Sequence, residues 1–166
     1  MIEKYGVENS MQNEDIQRAA KSAYFYDEQF FRSSWELAFY IFNRDQGIDI
    51  IHNPECNFWY TDKNGKTHRY FPDFKIGDEF IEIKGEQFIR KDGSYQNVFD
   101  HNQDHIYEAK HKCMIDNNVK IITGKEMKLY LDYVKKQYSK TYLKSFKLTS
   151  KESNNGTRIS VDKETK

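Results

Sequence analysis

Two short runs of aromatic and β-branched residues, 70–76 and 80–84, stand out in the stretch HRYFPDFKIGDEFIEIKGEQ, where they are separated by Gly-Asp-Glu. Runs of this composition around a short turn predict a β-hairpin. Side chains alternate between the two faces of a strand, so Glu82 and Lys84 are expected to share a face, about 6.6 Å apart. If the two strands pair, Asp73 on the first run brings a second carboxylate beside them. The hairpin therefore predicts two acids and a lysine in one place.

The rest of the hydrophobic pattern predicts helices and further strands around this hairpin. Ser33 and Glu36 have the spacing of a capping box, and the apolar residues 35–42 that follow indicate a buried helix. The other predicted elements are helices over residues 14–26, 103–117 and 125–137, strands over 48–51, 58–61 and 119–123, and a long functional or mobile loop over 86–102. This order predicts an α/β fold with a mixed β-sheet flanked by α-helices.

The composition changes towards both ends of the chain. Residues 1–29 are polar with scattered aromatic residues, and we expect them to form a helical extension before one folded domain over residues 30–148. Residues 149–166 are mostly Ser, Asn, Lys, Glu and Thr with almost nothing to bury, so a disordered tail is predicted there. A chain of 166 residues can bury a substantial core, and its 16% of aromatic residues compensate for a hydrophobic fraction of 37%.

Charge, cysteines and targeting patterns argue against several classes of protein. Lys and Arg together number 26, as do Asp and Glu, so net charge provides no general attraction to nucleic acid or membrane. Cys56 and Cys113 belong to no CxxC pair, which is typical of free thiols in a reducing compartment. The sequence shows no signal-peptide pattern, no membrane helix and no glycine-rich phosphate loop. We therefore expect a cytoplasmic protein with no membrane partner and no nucleotide cofactor.

The predicted cluster of Asp73, Glu82 and Lys84 has the groups that a Mg²⁺-dependent phosphodiester hydrolase needs. Mg²⁺ takes oxygen ligands from one or two carboxylates, waters and substrate phosphates. Asp73 and Glu82 are therefore candidate ligands, together with the backbone carbonyl of Ile83. The metal would activate a water and neutralise charge on the phosphate, while Lys84 would orient or help deprotonate that water and stabilise the transition state. The alternative for Glu82 and Lys84 is a solvent-facing pair on an ordinary hairpin.

These motifs resemble those of the PD-(D/E)XK nuclease superfamily. The matching residues are Pro72 and Asp73, then Glu82, Ile83 and Lys84, with Glu36 at the position of the superfamily's helical acid. The segments FRSSWELAFYIF, RYFPDF and FIEIKG are similar to small phage-type endonucleases, a group that includes relatives of Holliday-junction-resolving and transposon-end-cleaving nucleases. The resemblance covers residues 31–123.

The resemblance implies a restriction-endonuclease-like fold and a metal-dependent DNA endonuclease. It implies that Asp73 and Glu82 bind the metal, that Lys84 is the catalytic lysine, and that Glu36 is a further ligand or organises the metal. It also implies Mg²⁺ as the cofactor, with Mn²⁺ able to substitute, DNA as the partner, a bacterial or phage-infected cell, and a homodimer for paired cuts. The resemblance leaves the substrate open. The alternatives are a Holliday junction, a recognition sequence as in restriction or homing nucleases, and DNA of which one strand is nicked.

Glu36 has a second interpretation from its place at the start of the predicted helix. As the reciprocal half of a capping box with Ser33, its carboxylate would accept a backbone N–H. A carboxylate occupied in this way has less capacity for a metal. The two interpretations are therefore compatible only in part.

Basic residues are concentrated in the second half of the chain, where residues 110–147 contain ten lysines against three acidic residues. Such a segment beside an acidic site is a plausible footprint for phosphates, and the alternative is a solvated helix face. The residues that we expect to contact DNA are Ser33, Ser34, Arg69, Arg90, Lys91, Lys110 and Lys112.

Two further interpretations stay open. One is a protein that keeps the nuclease fold and binds nucleic acid or supports an assembly without cutting. The other is a zinc site, because His101 and His105 are four residues apart with Glu108 and His111 further along, although no HExxH motif is present.

Overall fold

The computed structural model describes residues 23–148. Residues 39–132 form one compact unit, and residues 23–38 and 133–148 belong to a second. In chain order the elements are β1 (Tyr24–Tyr26), β2 (Gln29–Phe31), α1 (Ser34–Asp45), β3 (Ile50–His52), β4 (Phe58–Thr61), β5 (Thr67–Tyr70), β6 (Phe74–Ile76), β7 (Glu79–Ile83), α2 (Asp104–Asp116), β8 (Lys120–Ile122) and α3 (Gly124–Gln137). Short 3₁₀ helices lie at Glu86–Phe88, His101–Gln103 and Leu143–Phe146.

The main sheet of the unit over residues 39–132 contains both antiparallel and parallel strands. Its order is β3-β6-β7-β8, in which β3, β6 and β7 pair antiparallel while β8 pairs parallel with β7. A parallel pair needs a crossover connection, and α2 lies in the connection between β7 and β8. The predicted mixed α/β class is therefore confirmed.

The β6–β7 hairpin forms as the sequence predicts. Phe74 pairs with Ile81 in its register, and Gly77 in the turn has φ of 58°, a conformation that glycine adopts without a Cβ penalty. Continuing the register by one residue places Asp73 opposite Glu82. Because directly opposed residues of an antiparallel pair share a face, the two carboxylates lie on the same side of the sheet.

The prediction of one strand over residues 70–76 is wrong, because the chain forms two strands there. Strand β5 ends at Tyr70 and β6 begins at Phe74, with Pro72 between them. Proline has no N–H for a ladder, so it interrupts pairing at this point. Strand β5 pairs instead with β4 in a separate two-stranded ribbon, in which Tyr70 is opposite Phe58.

The turn between β4 and β5 is held by a buried carboxylate. Asp62 Oδ1 accepts hydrogen bonds from the N–H groups of Asn64 at 2.8 Å and Lys66 at 3.1 Å, and Asp62 Oδ2 lies 2.7 Å from Nε2 of His68. The hydrogen bond to His68, followed by the turn N–H groups, holds the pKa of Asp62 below its ordinary value. These bonds hold the Asp-Lys-Asn-Gly turn that joins β4 to β5.

Aromatic side chains cover both faces of the main sheet. On one face the ring centroid of Phe74 lies 5.2 Å from that of Phe39 on α1, which in turn lies 4.8 Å from Tyr130 on α3. On the other face Phe80 packs edge-on against Phe58 at 5.0 Å. This second group also contains Tyr70, Tyr95, Cys113, Met114 and Val119. The face that carries Glu82 is therefore lined by aromatic rings.

The observed ends of several strands and helices differ from the predicted ones, in part because nearby backbone groups form hydrogen bonds at the ends of helices. Strand β3 begins at Ile50 rather than at residue 48, since the N–H of Ile48 donates to the carbonyl of Asn43 at the end of α1. Helix α3 begins at Gly124 because the N–H and hydroxyl of Thr123 both lie 3.4 Å from Oε1 of Glu126. Strand β7 ends at Ile83 rather than at residue 84.

The second unit contains a hairpin that the sequence pattern did not predict. The helix predicted over residues 14–26 lies outside the described residues up to position 22, and its end is wrong because residues 24–26 form β1. Asp27 and Glu28 have φ of 52° and 59° and turn the chain into β2. The ring of Tyr26 lies 4.8 Å from that of Phe146, and Leu148 N–H donates to the carbonyl of Ala23. The predicted disordered tail also lies outside the described residues.

Both cysteines are free, as the sequence predicts. Cys56 Sγ lies 3.4 Å from the carbonyl of Tyr70, Cys113 Sγ lies 3.6 Å from that of Trp59, and burial raises the pKa of each thiol. Raised pKa values keep thiols protonated and unreactive at neutral pH. Within residues 23–148, no helix combines the length and the apolar character needed to cross a bilayer.

Replacing Phe74 by alanine is expected to destabilise the fold by about 3–5 kcal/mol, the usual cost of removing a fully buried phenylalanine. The residue is fully buried beside Phe39 and on the same strand as the carboxylate Asp73. Equilibrium unfolding in urea measures the change. Phe99→Ala, at a residue that is 84% exposed, is the matched control and should stay within about 0.5 kcal/mol of wild type. Equal stability of the two variants would contradict this description of the core.

Candidate active site

Asp73 and Glu82 lie side by side and are both buried, with exposed fractions of 3% and 4%. The N–H of Ile83 donates to Asp73 Oδ2 at 2.8 Å, and the hydroxyl of Tyr70 donates to Glu82 Oε1 at 3.4 Å. Burying a carboxylate is costly unless hydrogen bonds and opposite charge compensate. The paired strands therefore hold two acids in an environment that favours a cation.

Tyr70 connects the β4–β5 ribbon to these carboxylates. Its ring is stacked on Phe58 with centroids 6.1 Å apart, and its side chain is almost completely buried. Burial, followed by the negative charges of Glu82 and Asp73, raises the pKa of Tyr70 far above its ordinary value. The phenol therefore stays protonated and acts as a fixed donor to Glu82.

Lys84 lies among three aromatic rings. Its Nζ is 4.7 Å from the ring centroid of Phe88, 5.0 Å from that of Tyr107 and 5.5 Å from that of Tyr95. An ammonium within about 6 Å of a ring face is attracted by the ring's quadrupole. The rings therefore fix the position of this charge two residues beyond Glu82 on the same face of the strand.

Tyr95 contacts both parts of the site. Burial and then the charge of Glu82 raise its pKa, so its hydroxyl stays protonated. Among the residues that the structure describes, this buried hydroxyl has no hydrogen-bond partner. Its ring is stacked on His111 with centroids 3.9 Å apart and an interplanar angle of 8°. Tyr95 thus presents an unsatisfied polar atom in the neighbourhood of a buried carboxylate.

The rings around Lys84 come partly from residues 86–103, where a long loop was predicted. The structure orders this segment as a small hairpin, in which Arg90 N–H donates to the carbonyl of Ser94 at 2.8 Å and Gln96 N–H donates to that of Phe88 at 2.9 Å. An isolated β-bridge joins Ile89 to Tyr95. These bonds carry Phe88 and Tyr95 to the site on one folded piece of chain.

Arg90 fastens this hairpin to helix α2. Its Nη2 lies 2.5 Å from Asp104 Oδ2, and its Nη1 lies 3.3 Å from Glu108 Oε1 and 2.9 Å from the carbonyl of Tyr95. The other oxygen of Asp104 accepts the N–H of Asn97 at 2.6 Å. Arg90, which the sequence predicts to contact DNA, is therefore engaged in several bonds inside the protein.

The chemistry of the donor set fits Mg²⁺ better than a transition metal. Two adjacent carboxylates and the backbone carbonyl of Ile83 are hard oxygen ligands, and Mg²⁺ completes its octahedron with waters and substrate oxygens. Within residues 23–148 no set of three or more His, Cys, Asp or Glu side chains is gathered for a metal. The histidines of the zinc alternative are not brought together there: His111 stacks on Tyr95, and His101 lies 3.2 Å from Asp104.

Glu36 lies in the second unit, in the first turn of α1, and is 7% exposed. Its N–H donates to Ser33 Oγ at 3.2 Å, and its Oε2 accepts the N–H of Arg32 at 3.3 Å. These are the bonds of a helix cap. The carboxylate accepts the N–H of Arg32, whereas the predicted capping box would use the N–H of Ser33, one residue later. The capping interpretation of Glu36 is therefore part of the structure, and its metal role stays a prediction.

The other residues predicted to contact DNA occupy different settings. Arg69 lies over the rings of Trp59 and Phe71 at 5.7 Å and 5.0 Å and donates to the carbonyl of Cys56. Lys110 Nζ lies 5.3 Å from the ring centroid of Tyr70, close to the carboxylates. Four others remain. They are Lys91, which is exposed in the hairpin of residues 88–96, Lys112, which pairs with Asp116 at 2.7 Å, Ser33, whose hydroxyl accepts the N–H of Glu36, and Ser34, which begins α1.

Sequence reasoning missed the aromatic residues of this site. Tyr70, Phe88, Tyr95 and Tyr107 belong to separate segments, and no periodicity connects them. The available signal was the number of aromatic residues in a stretch that otherwise reads as a polar loop. Comparison with known proteins gave no match to a family model, to a curated protein or to a solved structure.

Removing the charge of Lys84 is expected to raise the pKa of His111. Burial and then the positive charge of Lys84 hold the pKa of His111 below the ordinary value of about 6.5. The folded protein therefore favours the neutral imidazole, and it loses stability as the pH falls below about 6.5. In Lys84→Met we expect the imidazole titration, followed by NMR, to move upwards, although burial still keeps it below the ordinary value. Lys112→Met, beside His111 on the exposed side of α2, is the control and should leave the titration unchanged. An unchanged His111 titration in Lys84→Met would contradict this placement of the lysine.

Proposed function

We propose that this chain is a Mg²⁺-dependent endonuclease that hydrolyses phosphodiester bonds in DNA. The observation that carries the proposal is the pairing of two buried carboxylates, Asp73 and Glu82, on adjacent strands with Lys84 on the same face. The sequence resemblance to PD-(D/E)XK nucleases supports it, because that pattern requires these residue types in this order. A restriction-endonuclease-like arrangement of the mixed sheet is part of the proposal.

Asp73 and Glu82 would hold the metal, together with the carbonyl of Ile83. When bound, Mg²⁺ supplies Lewis-acid chemistry, which activates water and neutralises charge on a phosphate. The N–H of Ile83 donates to Asp73 at 2.8 Å and the hydroxyl of Tyr70 donates to Glu82 at 3.4 Å, and these bonds restrict the orientation of both carboxylates. Mn²⁺, which accepts the same oxygen ligands, is expected to substitute.

Lys84 provides the fixed positive charge of the proposed mechanism. Phe88, Tyr95 and Tyr107 position its ammonium, which would orient the attacking water and stabilise the negative charge that develops on the phosphate. A charge that is already in place needs no reorganisation during the reaction. Lys110, above the ring of Tyr70, lies where it can attract the same phosphate backbone.

A second candidate function is binding without cleavage. The observation in its favour is that residues 23–148 gather no third acidic or histidine ligand beside the two carboxylates. A protein of this kind would keep the fold and bind DNA without a metal. The cleavage experiment below separates the two candidates.

The variants Asp73→Asn, Glu82→Gln and Lys84→Met are each expected to lower Mg²⁺-dependent cleavage by about 100-fold or more. The first two remove a negative charge that would hold the metal, and the third removes the positive charge that would stabilise the phosphate. The assay incubates supercoiled, linear and four-way-junction DNA with Mg²⁺ or EDTA. Glu79→Gln, on the exposed end of the same strand, is the matched control and should cut like wild type. Cleavage that persists in EDTA or in Glu82→Gln would refute the proposal, and binding by a wild type that cuts none of the substrates would favour the second candidate.

Glu36→Gln is expected to melt at nearly the wild-type temperature, since the amide oxygen of glutamine can still accept the N–H of Arg32. Glu36→Ala should melt lower, because losing a capping side chain costs about 1 kcal/mol. The cleavage activity of Glu36→Gln then shows whether the reaction needs the negative charge of Glu36. Lost cleavage with intact folding supports a metal role, whereas retained cleavage leaves Glu36 as a cap alone.

A further inference from the structure

Phe99 is the most exposed large hydrophobic residue among those the structure describes, with 84% of its surface accessible. It follows the small hairpin of residues 88–96 and precedes helix α2. The next most exposed, Leu129, reaches 62% on the surface of a helix. Isolated exposed apolar residues are common and need no function by themselves. What distinguishes Phe99 is how firmly its backbone is held and what its ring touches.

The turn that carries Phe99 is built from a chain of hydrogen bonds. Asn97 Oδ1 accepts the N–H groups of Phe99 at 2.9 Å and Asp100 at 3.2 Å, and Asn97 itself is buried. The N–H of Asn97 donates to Asp104 Oδ1 at 2.6 Å, and the other oxygen of Asp104 holds Arg90. The exposed ring is therefore presented by a fixed backbone rather than by a free loop tip.

The ring of Phe99 is connected to the proposed active site through a single side chain. Phe88 lies 6.0 Å from Phe99, edge to face, and its ring also lies 4.7 Å from Nζ of Lys84. Phe99 is thus within about 11 Å of the ammonium, a distance of roughly three base steps of 3.4 Å in DNA. A base within about three nucleotides of a phosphate held at Lys84 is therefore within reach of this ring.

We propose that Phe99 stacks on a nucleobase within about three nucleotides of the phosphate that is cut, and that it directs the protein to DNA whose base stack is interrupted. The inference rests on the proposed nuclease function and names its substrate class. In a continuous duplex both faces of each base are covered, so a phenylalanine must first unstack them. At a nick, a gap, a fork or a strand end one face is already accessible. Aromatic stacking on such a face is a common source of affinity for unpaired bases and is tolerant of sequence.

A protein partner fits this surface less well than a base. Protein interfaces usually bury about 800 Å² on each side, whereas Phe99 is a single ring. Its neighbours Asp100 and Asn102 are polar, and they are engaged with each other through Asp100 Oδ1 and the N–H of Asn102 at 3.0 Å. One flat ring beside a phosphate site has the size and shape of a base.

The test measures binding of oligonucleotides of one sequence, annealed as a continuous duplex, a nicked duplex and a splayed fork, with Ca²⁺ in place of Mg²⁺ to prevent cutting. The fluorescent base 2-aminopurine stands at the nick or fork. We expect wild type to prefer the interrupted substrates and to quench the probe. Phe99→Ala should bind them about 5- to 100-fold more weakly, with duplex binding unchanged.

Three further variants separate stacking from other effects. Phe99→Trp keeps an aromatic face and should retain the preference, whereas Phe99→Leu keeps an apolar side chain without a ring and should lose it. Trp59→Ala removes another exposed aromatic residue, 53% accessible on β4, and should behave like wild type. The inference is overturned if wild type binds all three substrates equally or binds none of them. It is also overturned if Phe99→Ala matches wild type or if Phe99→Leu retains the preference.

Failure of this inference can be told apart from failure of the nuclease proposal. Cleavage that depends on Glu82 but is unaffected by Phe99→Ala on every substrate leaves the nuclease and removes the stacking role. A Phe99-dependent preference for interrupted DNA in a protein that never cuts leaves the stacking role and removes the nuclease.

Discussion

The structure depends on the burial of two like charges beside each other. Asp73 and Glu82 face each other on paired strands, so they cannot be separated without opening the β6–β7 hairpin. Around them the chain supplies an N–H from Ile83, a hydroxyl from Tyr70 and the ammonium of Lys84 two residues further on. Burying two carboxylates beside each other is costly unless hydrogen bonds or opposite charge compensate, so the stability of the sheet and the geometry of the candidate site are linked.

Aromatic residues surround both the carboxylates and the lysine of the candidate site. With 16% of the chain aromatic, the same rings can serve as core and as electrostatic surroundings for the site. Tyr95 illustrates both roles, since it is buried in the second hydrophobic group while its ring faces Lys84 and its hydroxyl lies near Glu82. An aliphatic core of equal size would bury the carboxylates without donating a hydrogen bond or attracting the lysine.

The parts that the sequence predicted well are those set by neighbouring residues. The β6–β7 hairpin, and with it the shared face of Asp73 and Glu82, follows from strand alternation and a short turn, and the mixed sheet follows from the order of elements. The parts it missed depend on contacts between distant segments. Tyr70 and Tyr95 are 25 positions apart and meet only in the folded chain, and the pairing of Arg90 with Asp104 spans 14 residues of an irregular loop. At Asp27 and Glu28 the backbone has positive φ and forms a tight turn. A hairpin is therefore present where the sequence pattern predicts the end of a helix.

The bond between Arg90 and helix α2 has a consequence for how the site moves. Arg90 and Glu108 are 32% and 53% exposed, so salt screens this attachment far more than it affects the buried carboxylates. Elements held by few buried contacts open locally, at a lower free energy than the sheet that they cover. Ionic strength is therefore expected to change how firmly Arg90 holds its segment to α2, with little effect on the geometry of Asp73 and Glu82.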